Sequence, residues 1–113
     1  MNREYFKGTW QENRSFSPAV VTTGGRQIWL AGVGMWQDED GNNLDGDFEA
    51  QVHATFRQIE RNLALAGGKL ADIVTMTVFI KDVRNGDKLT ELRKQYFQDG
   101  FPGSALITVS GFA

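Results

Sequence analysis

Residues 66–82, AGGKLADIVTMTVFIKD, decide the fold of this chain. Gly67 and Gly68 predict the end of a helix, because glycine adopts the left-handed cap conformation at little cost. The residues from Ile73 to Lys81 are then almost all β-forming. Alternate positions are apolar on one face and semi-apolar on the other, so we expect a strand that is covered on both faces.

A long amphipathic helix is predicted on the N-terminal side of this strand. Five apolar residues at spacings of 4, 4, 3 and 4 form one helical stripe: Phe48, Val52, Phe56, Ile59 and Leu63. Asp47 is the predicted N-cap, since its carboxylate can accept from the free amides of the first turn.

A shorter helix and a last strand are predicted on the C-terminal side. The helix starts at Asp87, carries Leu89, Leu92 and Tyr96 on one side, and ends at residues 99–103. The strand covers Ala105–Phe112, which is again rich in β-forming residues.

The N-terminal part predicts a hairpin followed by a loop. The runs Ala19–Thr23 and Gln27–Ala31 flank Gly24-Gly25, which is typical of two strands joined by a tight turn. Residues 32–46 are rich in Gly, Asp and Asn and are expected to be an extended loop. Residues 1–18 show no clear period.

This order of elements predicts a single α+β domain, an α/β sandwich, over residues 1–113. Two strand–helix–strand crossovers imply right-handed connections and a mixed, partly parallel sheet with both helices on one face. The other sheet face would still carry apolar side chains. An exposed apolar face of that size usually marks an interface, so we expect self-association with closed symmetry.

Composition excludes several classes of function. The chain has no cysteine and one histidine, His53, so thiolate sites, cysteine nucleophiles and multi-histidine metal sites are excluded. A net charge of −2 disfavours nucleic acid as a partner. No apolar run approaches the roughly 20 residues of a membrane span. Residues 1–5 do not read as a signal peptide, and we expect a cytoplasmic protein without a membrane partner.

Residues 66–82 resemble the central signature of the RidA (YjgF) family, also called endoribonuclease L-PSP. Gln51, the Leu30-Ala31-Gly32 turn, the Tyr96-Phe97 pair and Pro102 fit the same pattern. The resemblance covers residues 16–113. It implies a chorismate-mutase-like fold, a homotrimer with ligand clefts between subunits, and hydrolysis of enamines and imines such as 2-aminoacrylate without metal or organic cofactor.

That chemistry uses an arginine that grips the substrate carboxylate and a glutamate that holds water. The arginine position falls on Ser104, the serine of the turn falls on Ala31, and its glutamine falls on Val33. Gly32 is the one clear match among the site positions. The family pattern continues past Ala113 into a strand that carries the glutamate. The resemblance therefore implies 2-aminoacrylate hydrolysis near background for this chain.

Six residues are the candidate ligand-binding set: Ser104, Gly32, Ala31, Phe16, Trp36 and Arg14. Each has a plainer interpretation, since Ser104 could be a small strand residue and Arg14 a surface arginine. Ser104 has no partner to activate it as a nucleophile. His53 reads as a solvated helix residue, and the acidic run at 38–40 as a solvated turn.

Three functions remain open from the sequence. The first is a deaminase-like hydrolase acting on a non-standard imine or enamine. The second is a trimer that binds a small metabolite for sensing or carriage without turnover. The third, a ribonuclease, is weakest, because the charge is near neutral and catalytic His pairs or metal ligands are missing.

Overall fold

The computed structural model describes residues 2–9, 13–98 and 100–113. Their contacts divide the chain into two units. The first unit contains residues 1–26 together with 73–113, and the second contains residues 27–72.

The second unit is built on the predicted long helix. Helix α1 covers Phe48–Leu65, and the Asp47 side chain accepts a hydrogen bond from the Ala50 amide at 3.0 Å, which confirms the N-cap. Gly67 has a φ of 80°, the left-handed conformation expected at the helix end. Four residues of the helix are buried: Val52, Ala54, Phe56 and Leu63. Three of the five predicted stripe residues are therefore buried, while Phe48 and Ile59 are half-buried.

The predicted N-terminal hairpin is wrong. Strand β2, Val20–Thr23, pairs antiparallel with strand β1, Asn2–Tyr5, in the first unit. Residues 27–31 have no regular secondary structure, and the Trp29 side chain is 86% exposed. The edge of β2 pairs instead with β1, which is short and polar. Because β1 has no apolar alternation, its sequence did not predict a strand.

The crossover that follows the central strand is confirmed. Strand β3, Thr75–Ile80, pairs in parallel with strand β4, Gly103–Thr108, and helix α2, Gly86–Arg93, lies between them in the chain. Helix α2 ends earlier than predicted, so Tyr96 lies beyond it. The end of this helix was predicted at residues 99–103, of which Asp99 lies outside the described residues.

The described residues form two separate two-stranded sheets rather than one mixed sheet of four or five strands. The first predicted crossover fails because residues 27–31 form no strand there. The α+β class stands, with two α-helices and small sheets.

The two faces of the β3–β4 ladder differ. A Cβ added to Gly86 of α2 would lie 3.3 Å from Leu106 Cδ2, so α2 lies against the face that carries Leu106, although Leu106 is still 39% exposed. Ser104 is on the same face, two residues earlier in β4. The opposite face carries the registered pair Phe79 and Ile107, whose side chains are 49% and 44% exposed.

Candidate functional site

The start of β4 is fixed in place by backbone hydrogen bonds on two sides. The Gly103 amide donates to the Val74 carbonyl and the Ser17 amide donates to the Pro102 carbonyl, each at 3.0 Å. The Ser17 hydroxyl also donates to the Phe101 carbonyl, and Pro102 is fully buried. Ser104, the second residue of β4, is therefore presented from a rigid support.

A buried arginine meets Ser104 from α2. Arg93 lies in the last turn of the helix and is 4% exposed. Its Nη1 donates to Ser104 Oγ at 2.7 Å and its Nε donates to Ser15 Oγ at 3.2 Å. Its Nη2 lies 3.5 Å from the Arg14 carbonyl oxygen. All three acceptors are neutral oxygens.

The positive charge of Arg93 has no anionic partner within ion-pair distance among the residues that the structure describes. Burial lowers the pKa of Arg93, and the positive charge of Arg14 lowers it further. Arg14 itself faces Asp87 at 3.5 Å, where both side chains are well exposed. A buried cation that meets only neutral acceptors is costly, because hydrogen bonds replace its hydration without cancelling its charge.

Ser15 has the strained backbone of this site. Its φ is 61°, and it is the one non-glycine residue with positive φ in the described chain. It is 2% exposed, and its hydroxyl donates to the Thr90 carbonyl at 2.7 Å while accepting from Arg93. A left-handed serine costs about 1–2 kcal/mol and is held only where the surroundings fix it.

The structure brings two of the six predicted ligand residues to this place. Ser104 accepts directly from Arg93, and Arg14 contributes its carbonyl and a nearby positive charge. Phe16 is half-buried and lines an open cleft of about 680 Å³ in the same unit. Ser15 lines that cleft as well, so it borders both the cleft and the Arg93 guanidinium.

The other three predicted ligand residues lie in the second unit. Ala31 and Gly32 are exposed in the segment without regular structure, and Trp36 is 64% exposed. Among the described residues, the Trp36 side chain has no hydrogen-bond partner. The assignment of all three to a ligand site stays a prediction.

The acidic run at 38–40 forms a turn. Asp38 accepts from the amides of Asp40 and Asn42 at 2.9 Å, and the hydrogen bonds from Asn42 lower the pKa of this carboxyl. Glu39 pairs with Arg61 at 2.6 Å. Over the described ranges, no group of three or more His, Cys, Asp or Glu side chains is placed to hold a metal. In the same ranges, no helix is long and apolar enough to cross a membrane.

Sequence reasoning missed Arg93. The signal was present, because Arg93 follows Leu89 by four residues and therefore lies on the apolar side of the predicted helix. A charged residue on a buried helix face needs a polar partner, and Ser104 was already a candidate. The sequence does not show that Arg93 and Ser104 meet. A contact between the end of α2 and the start of β4 depends on the register in which β3 pairs with β4.

Comparisons with known proteins agree with this fold. A family model described as endoribonuclease L-PSP matches residues 10–113. A RutC family protein of Pyrococcus abyssi is 31% identical over 86 residues, covering 76% of this chain and 68% of that protein. A human protein named 2-iminobutanoate/2-iminopropanoate deaminase is 27% identical and covers 84% of this chain and 68% of its own length.

Solved structures give the same result for the fold. A Rid family protein from Yersinia pestis superimposes with a TM-score of 0.77 at 21% identity. The alignment covers 100% of this chain and 90% of that one. The chain therefore belongs to the RidA/YjgF family, the family of the endoribonuclease L-PSP model.

Proposed function

We propose that this protein binds a small organic acid derivative next to Ser104 and hydrolyses its carbon–nitrogen bond, as an imine or enamine hydrolase with a non-standard substrate. The observation that carries this proposal is the buried charge of Arg93 beside Ser104, the position where the family pattern has its arginine. A cation at that position favours an anionic metabolite as the ligand.

The reaction adds water to the carbon of the C=N bond. The tetrahedral adduct then expels ammonia and leaves the corresponding oxo acid, so water is the only co-reactant. An enamine first takes a proton on carbon to become the imine. The human and other relatives named 2-iminobutanoate/2-iminopropanoate deaminase support this reaction class. The changes at Ala31, Val33 and Ser104 favour a substrate other than 2-aminoacrylate.

The working form is proposed to be a cytoplasmic homotrimer with ligand clefts between subunits. The paired side chains Phe79 and Ile107 leave an apolar sheet face exposed in the single chain, and a second and third copy would cover it. Light scattering should give about three times the 12.6 kDa chain mass. A stable monomer at micromolar concentration would contradict the trimer.

A second candidate is a trimer that binds the metabolite without turnover. It is favoured by the neutral acceptors around Arg93, because a buried cation can bind an anion without any group that activates water. The two candidates differ in whether product is released.

The deciding experiment offers the protein a panel of imines made in situ from L-amino acids by an amino acid oxidase. Ammonia release is compared with the rate in buffer alone, and 2-aminoacrylate made by a dehydratase is included. We expect acceleration for at least one imine and a rate near background for 2-aminoacrylate. If no imine is accelerated while oxo acids still bind, the binding function replaces the hydrolase.

A further inference from the structure

We infer that the open cleft of the first unit is the subsite for the side chain of the substrate, and that this side chain is aromatic. The cleft has a volume of about 680 Å³ and is lined by three aromatic residues, Tyr5, Phe16 and Phe101. The inference rests on the proposed function only in taking the ligand to be a small organic acid or its imine. It adds the class of side chain that this ligand carries, and it does not require turnover.

The backbone that carries Phe16 is fixed by the two serines that flank it. Ser15 is buried, has a φ of 61°, and donates its hydroxyl proton to the Thr90 carbonyl. Ser17 is also buried, and its hydroxyl donates to the Phe101 carbonyl. Phe16 itself is half-buried and lines the cleft. This wall is therefore in place before a ligand arrives, which lowers the entropy cost of binding.

The other two rings of the cleft are supported from behind. Phe101 makes an edge contact with the ring of Phe97, with ring centroids 6.5 Å apart, and Phe97 is 4% exposed. The Tyr5 ring lies on the backbone of Gly100, where an added Cβ would overlap its Cε2 and Cζ atoms. Glycine at position 100 therefore lets the ring pack directly on the chain. Rings held in this way can contact a flat aromatic group by offset stacking or edge to face.

The cleft is continuous with the charge of Arg93 through one residue. Ser15 lines the cleft, and its hydroxyl accepts from Arg93 Nε at 3.2 Å. A ligand whose acid group is held near Arg93 would therefore extend its side chain past Ser15 toward the rings. The cleft volume lies within the roughly 300–1,000 Å³ of small-molecule pockets and is much larger than a methyl group requires. Lys7 and Gln98 also line the cleft and are exposed, so polar substituents on the ring can be accommodated.

The test measures binding of phenylpyruvate and of pyruvate to the protein by calorimetry, because the two acids differ only in the phenyl group. We expect the wild type to prefer phenylpyruvate by about ten- to a hundred-fold, the range for removing one phenyl group from water. Phe16→Ala should lower that preference by about two- to ten-fold, the scale of one aromatic contact. Phe16→Leu keeps an apolar side chain without the ring, so its preference should lie between those of wild type and Phe16→Ala.

Two further variants control the result. Phe112→Ala removes an exposed ring of the same unit, outside the cleft, and should leave the preference for phenylpyruvate unchanged. Tyr5→Leu changes a second wall of the cleft and should lower the preference by about two- to ten-fold, so the result does not depend on one variant. Circular dichroism verifies that each variant is folded. In the hydrolysis assay, the imine made from phenylalanine should have a higher kcat/KM than the imine made from alanine.

Several outcomes would overturn the inference. They are equal affinities for the two acids in the wild type, no binding of either acid, and an unchanged preference in folded Phe16→Ala and Tyr5→Leu. An equal loss of preference in Phe112→Ala would assign the phenyl group to the general surface. Equal hydrolysis of the alanine and phenylalanine imines, without a preference in binding, would remove the subsite and leave the hydrolase. A preference for phenylpyruvate without any imine hydrolysis would do the reverse.

Discussion

Replacing Arg93 by Met is expected to change the free energy of unfolding by less than about 1 kcal/mol. The hydrogen bonds that are lost and the charge burial that is relieved have opposite effects of similar size. The two short hydrogen bonds from the guanidinium, to Ser15 and Ser104, are lost. Bonds from a charged group contribute ~1.5–3 kcal/mol each, so the loss is about 3–6 kcal/mol. Against this, the cost of burying an unpaired charge, several kcal/mol, is removed. The apolar Met side chain takes the place of the arginine's methylene stem, which is already buried, so its burial adds little.

Urea unfolding at fixed protein concentration measures this balance, with the slope m used to verify that the same surface unfolds. Leu92→Ala is the matched control, since Leu92 is the neighbouring residue of α2 and is 5% exposed. It should cost about 2–5 kcal/mol as an ordinary core truncation. A loss above about 3 kcal/mol for Arg93→Met would mean that the arginine is part of a buried ion pair, and would refute the unpaired charge.

Three further predictions address the rest of the fold. Phe56→Ala should cost about 3–5 kcal/mol in urea unfolding, because Phe56 is 4% exposed, and a loss under about 1 kcal/mol would contradict its core position. Asp47→Ala should cost about 1 kcal/mol by the same measurement, because the Ala50 amide loses its acceptor, whereas no change would rule out a stabilising cap. The carboxyl of Asp82, whose pKa is lowered to about 2 mainly by its hydrogen bonds with Arg84, should titrate there by NMR. Its contribution to stability is therefore present above the unfolded pKa of about 4 and is lost as the pH falls through 2. Asp82→Asn and wild type should thus converge in stability at low pH, and a titration near 4 would contradict the pair.

The sequence was most informative where a periodic pattern and its end signals agreed. Helix α1 has a clear stripe, an Asp47 cap and the Gly67 stop, and its bounds were close to those observed. Strand β3 was identified by its run of β-forming residues. The hairpin failed because β-pairing partners are chosen by tertiary contacts. Strand β1 is short and polar, so it left no pattern to read.

The candidate site was only partly predictable for a similar reason. Ser104 was predicted from the family pattern and Arg14 from its nearness to Phe16, but their relation to Arg93 depends on three segments meeting. A helix stripe shows that Arg93 faces inward and does not show what it meets. The positive φ of Ser15 has no signature in a serine, because glycine or asparagine is the usual residue in that conformation.

The contacts around Arg93 join residues that are far apart in the chain, and this has a consequence for folding kinetics. Ser15 is separated from Thr90 by 75 residues and from Arg93 by 78. Contacts of such separation pay the loop-closure entropy of most of the chain, whereas β3, α2 and β4 are consecutive elements. We expect the segment around Ser15 to dock last in folding and to detach first in native-state opening. A carboxylate bound at Ser104 would then slow amide exchange at residues 13–17, which are far from Ser104 in the sequence.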